Sequence, residues 1–320
     1  MKASPARAMV LAAGFATRLR PLSLLKPKPL VPLANRPLIH FAMDQLAAAG
    51  VDTAVVNSHH LGEQLPGVLG NSHRGLRLIF SHEEKILGTG GGLVQARRHL
   101  EDSPFFLING DVLSDVDLRA AWKHHRRGGY AATMVVRALP ADSAYTALQA
   151  DTSGRLVTFK EHRLTARGEI RACMFCGIHV LEPEVFSYLP EQGFACINDQ
   201  AYGRMMDRGL DIGAYFYDGP WFDLGTPQTY LQANLDLLGG RLRLKDKEPR
   251  CGADDQGVLL GHKLSLEAGV QLGPEVAIGE GCRIGAGAKL SRCVLWPGSH
   301  IESGACLDRC IAAGEHFIKL

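Results

Sequence analysis

What this 320-residue sequence lacks narrows it first. No apolar run approaches the roughly 18 residues that cross a bilayer as a helix, so a helical membrane span is not expected. Lys and Arg (35) nearly balance Asp and Glu (33), the formal net charge is +2, and no Lys/Arg block stands out. A general polyanion or nucleic-acid binder is thereby disfavoured. The eight cysteines include one CxxC, Cys173-Met-Phe-Cys176, with no second pair at zinc spacing. Alternate residues of a strand point to opposite faces, so the expectation is buried free thiols in a reducing cytosol rather than a metal or redox centre. The opening MKASPARAMVLAAGFATRL has a short apolar stretch followed at once by Arg18 and Arg20; it reads as a first strand, not a signal, and a cytoplasmic location is expected. Apolar content of 46% and charged content of 21% fit a globular protein with one large domain and one small one.

What is present concentrates in Val10–Pro32, VLAAGFATRLRPLSLLKPKPLVP. A short apolar run (Ala8, Met9, Val10, Leu11) reads as a buried strand. It breaks at Gly14 into a loop carrying Thr17, Arg18, Arg20, Lys26 and Lys28. Backbone N–H groups in a small-residue loop can approach an anion that the cations neutralise. Pro21, Pro27, Pro29 and Pro32 stiffen the loop and hold those cations in place.

From residue 8 to about 140, strand-like runs alternate with helical patterns. Thr53–Asn57, Leu76–Phe80, Phe105–Asn109 and Ala131–Val136 read as strands. A helix is expected from about Pro37 to Ala49, capped by Asn35 and stopped by Gly50. The alternation implies an α/β fold, a Rossmann-like, mainly parallel sheet with ligands beyond the carboxyl ends of its strands. The Gly14 loop and the Asn109-Gly110-Asp111 turn both fall there. Further strands are expected at Leu156–Lys160 and Phe175–Leu181, and a helix opening at Thr226-Pro227. His59-His60 and His124-His125 read as surface residues.

Beyond a charged stretch, Arg241–Arg250, the period changes. Leu260, Leu266, Leu272, Ile278, Ile284 and Leu290 recur every six residues, and after a slip of one the series continues at Leu295, Ile301 and Leu307. Glycine follows the key position at Gly261, Gly273, Gly279 and Gly285. A six-residue aliphatic repeat of this kind marks a left-handed parallel β-helix whose coils stack their aliphatic column. Its open end suggests a homo-oligomer formed through this tail.

The wording of the first loop resembles the signature of the sugar-1-phosphate nucleotidyltransferases, roughly LAAGxGTRLxPLT…PKPL.P…PLI. Leu11 to Ser23, Pro27 to Pro32 and Pro37-Leu38-Ile39 carry the match; Ala16 departs from it where relatives have glycine. The INGD run ending at Asp111, the LGTGGGL run from Leu87 and Trp221-Phe222-Asp223-Leu224-Gly225-Thr226-Pro227 extend it, and the repeats resemble the hexapeptide tails of such enzymes. The organisation implied is a catalytic domain over 1–240, a linker over 241–256 and the β-helix over 257–320. The reaction implied joins an NTP to a sugar 1-phosphate with release of pyrophosphate. Two polyanions must meet, so Mg²⁺, carboxylates and fixed cations are required. The resemblance assigns Arg18, Lys28 and Asp111 to catalysis, Asp111 and Asp223 to Mg²⁺, and Leu11, Ala13, Gly14, Thr17, Arg18, Gly88, Thr89, Gly90 and Asn109 to the nucleotide. Lys26 lies outside the aligned lysine.

The sugar side matches less well. Where relatives have Glu-Lys-Pro, this chain has Glu161-His162-Arg163, and where they have Asn-x-Gly it has Phe175-Cys176-Gly177. Glu161, Arg163 and Gly177 are the expected sugar-phosphate residues, Arg163 because a strand would turn it to the same face as Glu161. The LGTGGGL and INGD segments favour GTP with mannose 1-phosphate or a related sugar. A UTP-dependent uridylyltransferase, a catalytically weak regulatory paralogue and, from the β-helix alone, an acyltransferase using His262 or His300 remain as rivals.

Overall fold

The computed structural model describes residues 5–140, 145–245 and 249–320. The chain divides into two compact units. The first takes the chain up to Phe15, then Phe41–Val112 and Val116–Trp221; the second takes Ala16–His40, Leu113–Asp115 and Phe222–Leu320.

In the first unit, β1 (Arg7–Leu11) lies between β2 (Thr53–Ser58) and β4 (Phe105–Asn109), and β3 (Leu76–His82) flanks β2, all parallel. These strands are the expected apolar runs: Met9, Val10, Ala54, Val56, Phe105 and Leu107 are fully buried. Residues on both faces are covered, which is why the runs are continuous rather than alternating. The sheet then turns mixed. The twelve-residue β8 (Ile170–Leu181) runs antiparallel against both β4 and β5 (Ala132–Ala138), and β9 (Ile212–Phe216) adds parallel to β5. β6 (Leu148–Asp151) and β7 (Leu156–Phe159) extend β8 as an antiparallel meander.

The helix α1 spans Ile39–Ala49, not Pro37–Ala49. Asn35 does not cap it. Ala34 (φ 46°) and Asn35 (φ 57°) are the left-handed pair of a two-residue turn joining the short strands Pro32–Leu33 and Arg36–Pro37, the geometry that matches the twist of a hairpin. Helices α2 (Gly88–Gln95) and α3 (Leu118–Gly128) belong to the first unit. On α3, His125 is buried rather than superficial, with Nδ1 2.9 Å from Thr133 Oγ1.

The second unit holds α4 (Pro227–Leu238) and the repeats. Thr226 caps α4 in a reciprocal box with Thr229, and Pro227 occupies the first turn. The repeats form a parallel β-helix: Val258–Leu260 pairs with Val276–Ile278, and that strand with Cys293–Leu295. Ile278, Ile284, Leu290, Leu295 and Ile301 form its buried column, whereas Leu260 and Leu266 of the first coil are 48% and 42% exposed. The described start of the charged stretch is packed: Arg241 binds Asp236 and Glu275, and Leu242 and Leu244 are buried.

Candidate active site

In the first unit the carboxyl ends of β1, β2 and β3 are tied by one buried polar chain. The Ala12 amide donates to Asn57 Oδ1 (2.7 Å), Asn57 Nδ2 donates to Glu83 Oε1 (2.7 Å), and the Leu87 amide donates to Glu83 Oε2 (2.8 Å). Asn57 and Glu83 are 2% and 1% exposed. A carboxylate so deeply buried is tolerable only because both oxygens accept hydrogen bonds. The chain fixes the start of the Gly14 loop against the start of the glycine-rich segment. Gly92 has to be glycine: a Cβ there would come within 2.5 Å of Glu83 Oε1 and 2.9 Å of Asn57 Nδ2. Neither Asn57 nor Glu83 was among the residues expected from sequence; a polar residue at a strand end reads as an ordinary loop residue, and their only signal is that Asn57 ends an apolar run and Glu83 follows one after Ser81-His82.

The glycine-rich segment, assigned to the nucleotide by resemblance, packs against the protein itself. The amides of Gly90 and Gly91 both donate to the Ala195 carbonyl, and Thr89 Oγ1 accepts from the Ile197 amide. Cβ atoms at Gly88, Gly90 and Gly91 would strike the 193–197 segment. These glycines let α2 settle on that segment, and the Gly90 amide is committed to it rather than offered to a ligand. Gly14 by contrast has open space around its Cβ position. Beside it Phe15 lies edge-on to His59, ring centroids 5.2 Å apart.

Leu11 and Asn109 are register partners on β1 and β4, and the Gly110 amide donates to the Leu11 carbonyl. Asp111 follows in the turn, half-buried. Gly177 (φ 82°) sits where the pairing of β8 with β5 shifts register, with Asn109 Nδ2 3.1 Å from its Cβ position. Glycine is required there by both the bulge and the close approach. Cys173 and Cys176 are buried on the same strand, their thiols pushed up to about 12 by burial. That keeps them protonated and unreactive at neutral pH.

In the second unit Ala16 opens a 3₁₀ turn, Thr17–Leu19, from a left-handed conformation (φ 48°, ψ 44°). This is the position where the signature has glycine, and the backbone shows why. Arg18 and Lys28 both reach Asp223: Arg18 Nη2 lies 3.4 Å from Oδ2 and Lys28 Nζ 3.3 Å from Oδ1. Their side chains are 70% and 7% exposed, so the two ion pairs differ in weight. The Arg18 pair is solvated and worth little; the Lys28 ammonium is desolvated and needs the carboxylate. Gly225 is the close approach that admits Arg18, whose Nη2 lies 2.9 Å from its Cβ position. Thr17 is exposed. Lys26 is only half-buried.

The expected sugar-phosphate face is not a strand face. β7 stops at Phe159, and Lys160-Glu161 is the two-residue turn of a hairpin in which Phe159 pairs with His162 and Thr158 with Arg163. Lys160 is left-handed (φ 52°). The turn breaks the alternation that would align Glu161 with Arg163. Lys160 is ion-paired with Asp199, which raises its ammonium pKa. His162 Nδ1 lies 2.7 Å from Asp207, and Arg163 donates to the carbonyls of Lys160 and His162. Glu161 is largely exposed.

No group of three or more His, Cys, Asp or Glu gathers for a metal ion among the described residues. Asp111 of the first unit and Asp223 of the second, the carboxylates the sequence singles out, each offer one carboxylate. A single carboxylate suits a hard cation completed by ligand oxygens and water, as Mg²⁺ is, rather than an all-protein cage.

The sequence matches the Nucleotidyl transferase family over residues 7–239 and the GMPPB C-terminal domain over 255–319. It is 32% identical over 314 residues to mannose-1-phosphate guanylyltransferase 1 of Arabidopsis thaliana, covering 95% of this chain and 85% of the relative. It is 29% identical over 344 residues to a UTP--glucose-1-phosphate uridylyltransferase of Synechocystis, covering 98% and 88%. It is 28% identical to the mannose-1-phosphate guanylyltransferase of Mycobacterium tuberculosis, covering 94% and 83%. Among solved structures, a putative glucose-1-phosphate thymidylyltransferase from Bacillus anthracis superposes with a TM-score of 0.59 at 19% identity, over 71% of this chain and 93% of that one. That likeness bears on the fold alone.

Proposed function

This chain belongs to the Nucleotidyl transferase family, and from that premise we propose that it couples GTP to mannose 1-phosphate, forming a nucleotide sugar and pyrophosphate. The observation that carries the reading is the pair of cations, Arg18 and Lys28, gathered on one carboxylate, Asp223, in the signature loop. The guanylyltransferase relatives and the match of the C-terminal domain supply the substrates.

In this reaction a phosphate oxygen of the sugar 1-phosphate attacks the α-phosphorus of the NTP. The bond to the bridging oxygen breaks and pyrophosphate leaves. Lys28, held almost out of water, sits on the α-phosphate, where a fixed cation stabilises developing charge better than a solvated one. Arg18, exposed and weakly held, turns to the outer phosphates and binds them bidentately. The open loop at Gly14 lets the backbone approach the chain of phosphates, with Leu11, Ala13 and Thr17 lining it. Gly88, Thr89, Gly90 and Asn109 frame the nucleoside, Gly90 by packing. Asp111 and Asp223 hold Mg²⁺, which when bound supplies charge neutralisation at the phosphates. Because Asp223 already has Lys28 and Arg18 beside it, a bare divalent ion there meets like charge, and the polyphosphate is what makes its binding favourable.

Glu161 binds a sugar hydroxyl, and Arg163 and Gly177 the sugar phosphate. Lys160 and His162 face the carboxylates of Asp199 and Asp207, whereas Arg163 donates to backbone carbonyls, which supports Arg163 over the other two. The Synechocystis relative supports a second reading with UTP as donor. The same reading divides the chain into a catalytic domain (1–240), a linker (241–256) and a β-helix (257–320), which the family matches over 7–239 and 255–319 support. The exposed Leu260 and Leu266 support association through the β-helix. No helix among the described residues is long and apolar enough to cross a membrane.

A panel of GTP, UTP, dTTP and ATP against mannose and glucose 1-phosphates, read by pyrophosphate release with Mg²⁺, tests the reading. The highest kcat/KM is expected for GTP with mannose 1-phosphate; a preference for UTP with glucose 1-phosphate selects the second reading, and no release with any pair rejects both.

A further inference from the structure

The second unit contains a buried polar bridge that the transfer reaction as described above does not use. Trp296, in the β-helix, is 2% exposed, and its Nε1–H donates to the Tyr230 hydroxyl at 2.9 Å. Tyr230, on α4 and fully buried, donates that hydroxyl's proton to the Pro32 carbonyl at 2.5 Å. The two rings meet nearly edge-on, 81° apart. One turn further along α4, Asn234 is also fully buried; its Oδ1 accepts from the Ala34 amide (2.9 Å) and its Nδ2 donates to the Tyr230 carbonyl (3.0 Å). At the hairpin tip Asn35 Nδ2 donates to the Ile278 carbonyl of the β-helix (2.9 Å).

Three of these bonds end on Pro32, Ala34 and Asn35, a short way past Pro27-Lys28-Pro29, and the other two brace Tyr230 behind them. The intervening backbone is short and closed: the Leu30 amide donates to Pro27 and the Val31 amide to Lys28. A buried hydroxyl or amide that loses its partner keeps the full desolvation penalty, so the bridge strongly prefers one position of the loop. The prolines stiffen the loop but do not place its tip, where Ala34 and Asn35 are both left-handed and Ala34 has no side-chain polar group to hold it. The loop therefore takes its position from α4 and the β-helix.

We propose that Tyr230, Asn234 and Trp296 are positioning residues for Lys28, and that nucleotidyl transfer depends on the β-helix because Trp296 and Ile278 hold the Lys28 loop. The proposal rests on the reading of Lys28 as a phosphate-binding cation. Fixed charges act only when held to a fraction of an ångström, so a loosened loop costs rate even with Lys28 present.

The test uses the full chain with Trp296→Phe, which keeps an aromatic ring, smaller than the indole, and removes the donor, and Tyr230→Phe, which removes the shared hydroxyl. Ile301→Ala, in the β-helix column away from the bridge, is the control for general destabilisation. Hydrogen exchange is followed at the amides of Leu30, Val31, Ala34 and Leu38, alongside thermal melting and kcat. Both bridge variants are expected to speed exchange at these amides on the order of tenfold and to lower kcat by a similar factor, while Ile301→Ala lowers the melting temperature and leaves the four amides protected. Unchanged exchange in both bridge variants overturns the proposal. So does equal loosening in Ile301→Ala, or a loosened loop with undiminished kcat. A loosened loop in a protein whose wild type transfers no nucleotide overturns the assigned reaction instead, and leaves the mechanical link standing.

Discussion

Lys28 and Asp223, 195 residues apart in sequence, form an ion pair at 3.3 Å in which the lysine is almost wholly removed from water. The pair joins the signature loop to the segment that opens α4, and the carboxylate is shared with Arg18. The carboxylate proposed to hold the metal and the two cations proposed to hold phosphate are thereby stored on one another.

Asp223→Asn therefore has two effects. It removes the proposed metal ligand, and it takes a negative charge from beside a buried ammonium. Turnover is expected to fall by at least 10²–10³, and the melting temperature to fall with it. Asp111→Asn is expected to abolish turnover equally. Near-normal rates for either variant at saturating Mg²⁺ would refute the metal assignment.

Lys28→Ala is expected to cost roughly 10²–10³ in kcat, and Lys26→Ala less than tenfold, because a desolvated, anchored cation stabilises transition-state charge far better than a half-exposed one. Steady-state kinetics of the two variants decide the matter; equal losses would mean that the loop is read in the wrong register.

At Ala16 the left-handed backbone (φ 48°) is a known cost for an L-residue, about 1–2 kcal/mol. Glycine removes that strain and gives back part of it through the greater freedom of its unfolded chain. Ala16→Gly is expected to stabilise the protein by about 0.5–1 kcal/mol and to lower the KM for NTP. A lower urea midpoint would show that the methyl makes contacts worth more than the strain.

Glu83→Gln keeps the shape of the side chain but replaces one accepting oxygen with an N–H donor, which must then face either Asn57 Nδ2 or the Leu87 amide. A cost of about 1–3 kcal/mol in stability is expected, with a raised KM for NTP and an unchanged KM for sugar 1-phosphate. Equal rises in both would place the defect outside the nucleotide loops.

Burial holds the His125 imidazole down to about 4, with Arg126 and His124 adding to the effect. A histidine lowered in the folded state is protonated first in the unfolded one. Its contribution is complete above about pH 6.5 and is lost as pH falls toward 4, roughly 3 kcal/mol in all. Glu182, 3.3 Å from His125 Nε2 and raised by burial, opposes this in part. Urea unfolding between pH 7 and 4 is expected to show the loss, and His125→Gln to flatten it. A slope unchanged in that variant would assign the acid sensitivity elsewhere.

The apolar runs and the six-residue period were legible because burial on both faces and stacking of coils each leave a regular signature. The antiparallel course of β8 was not, since an apolar run carries no direction. The hairpin at Lys160-Glu161 was hidden because its turn lacks the glycine or asparagine that normally advertises a left-handed residue. Asn35 was misplaced for the opposite reason: asparagine before an apolar helix looks like a cap, and its left-handed conformation favours the turn equally well. His125 looked superficial beside a second histidine and two arginines; only the packing of α3 shows which of the neighbours points inward. For the candidate site, the cations and carboxylates of the signature were visible, but Glu83 and Asn57 were not, because a buried polar network is defined by partners distant in sequence.

The β-helix shortens its circuit once. Val258 pairs with Val276 and Gln271 with Lys289, 18 residues on, whereas Val276 pairs with Cys293, Arg283 with His300 and Lys289 with Cys306, 17 residues on. The missing residue is lost at a single corner, where Glu275, Arg292 and Arg309 stand one above another in left-handed conformation (φ 58°, 51° and 51°) immediately before Val276, Cys293 and Cys310. The solenoid thus has a defined module. A duplicated block of 17 residues placed after Leu295 would reproduce the tight corner and add a storey to the tower, whereas a block of 18 would bring the longer corner into a level built for the shorter one and push the aliphatic column out of line.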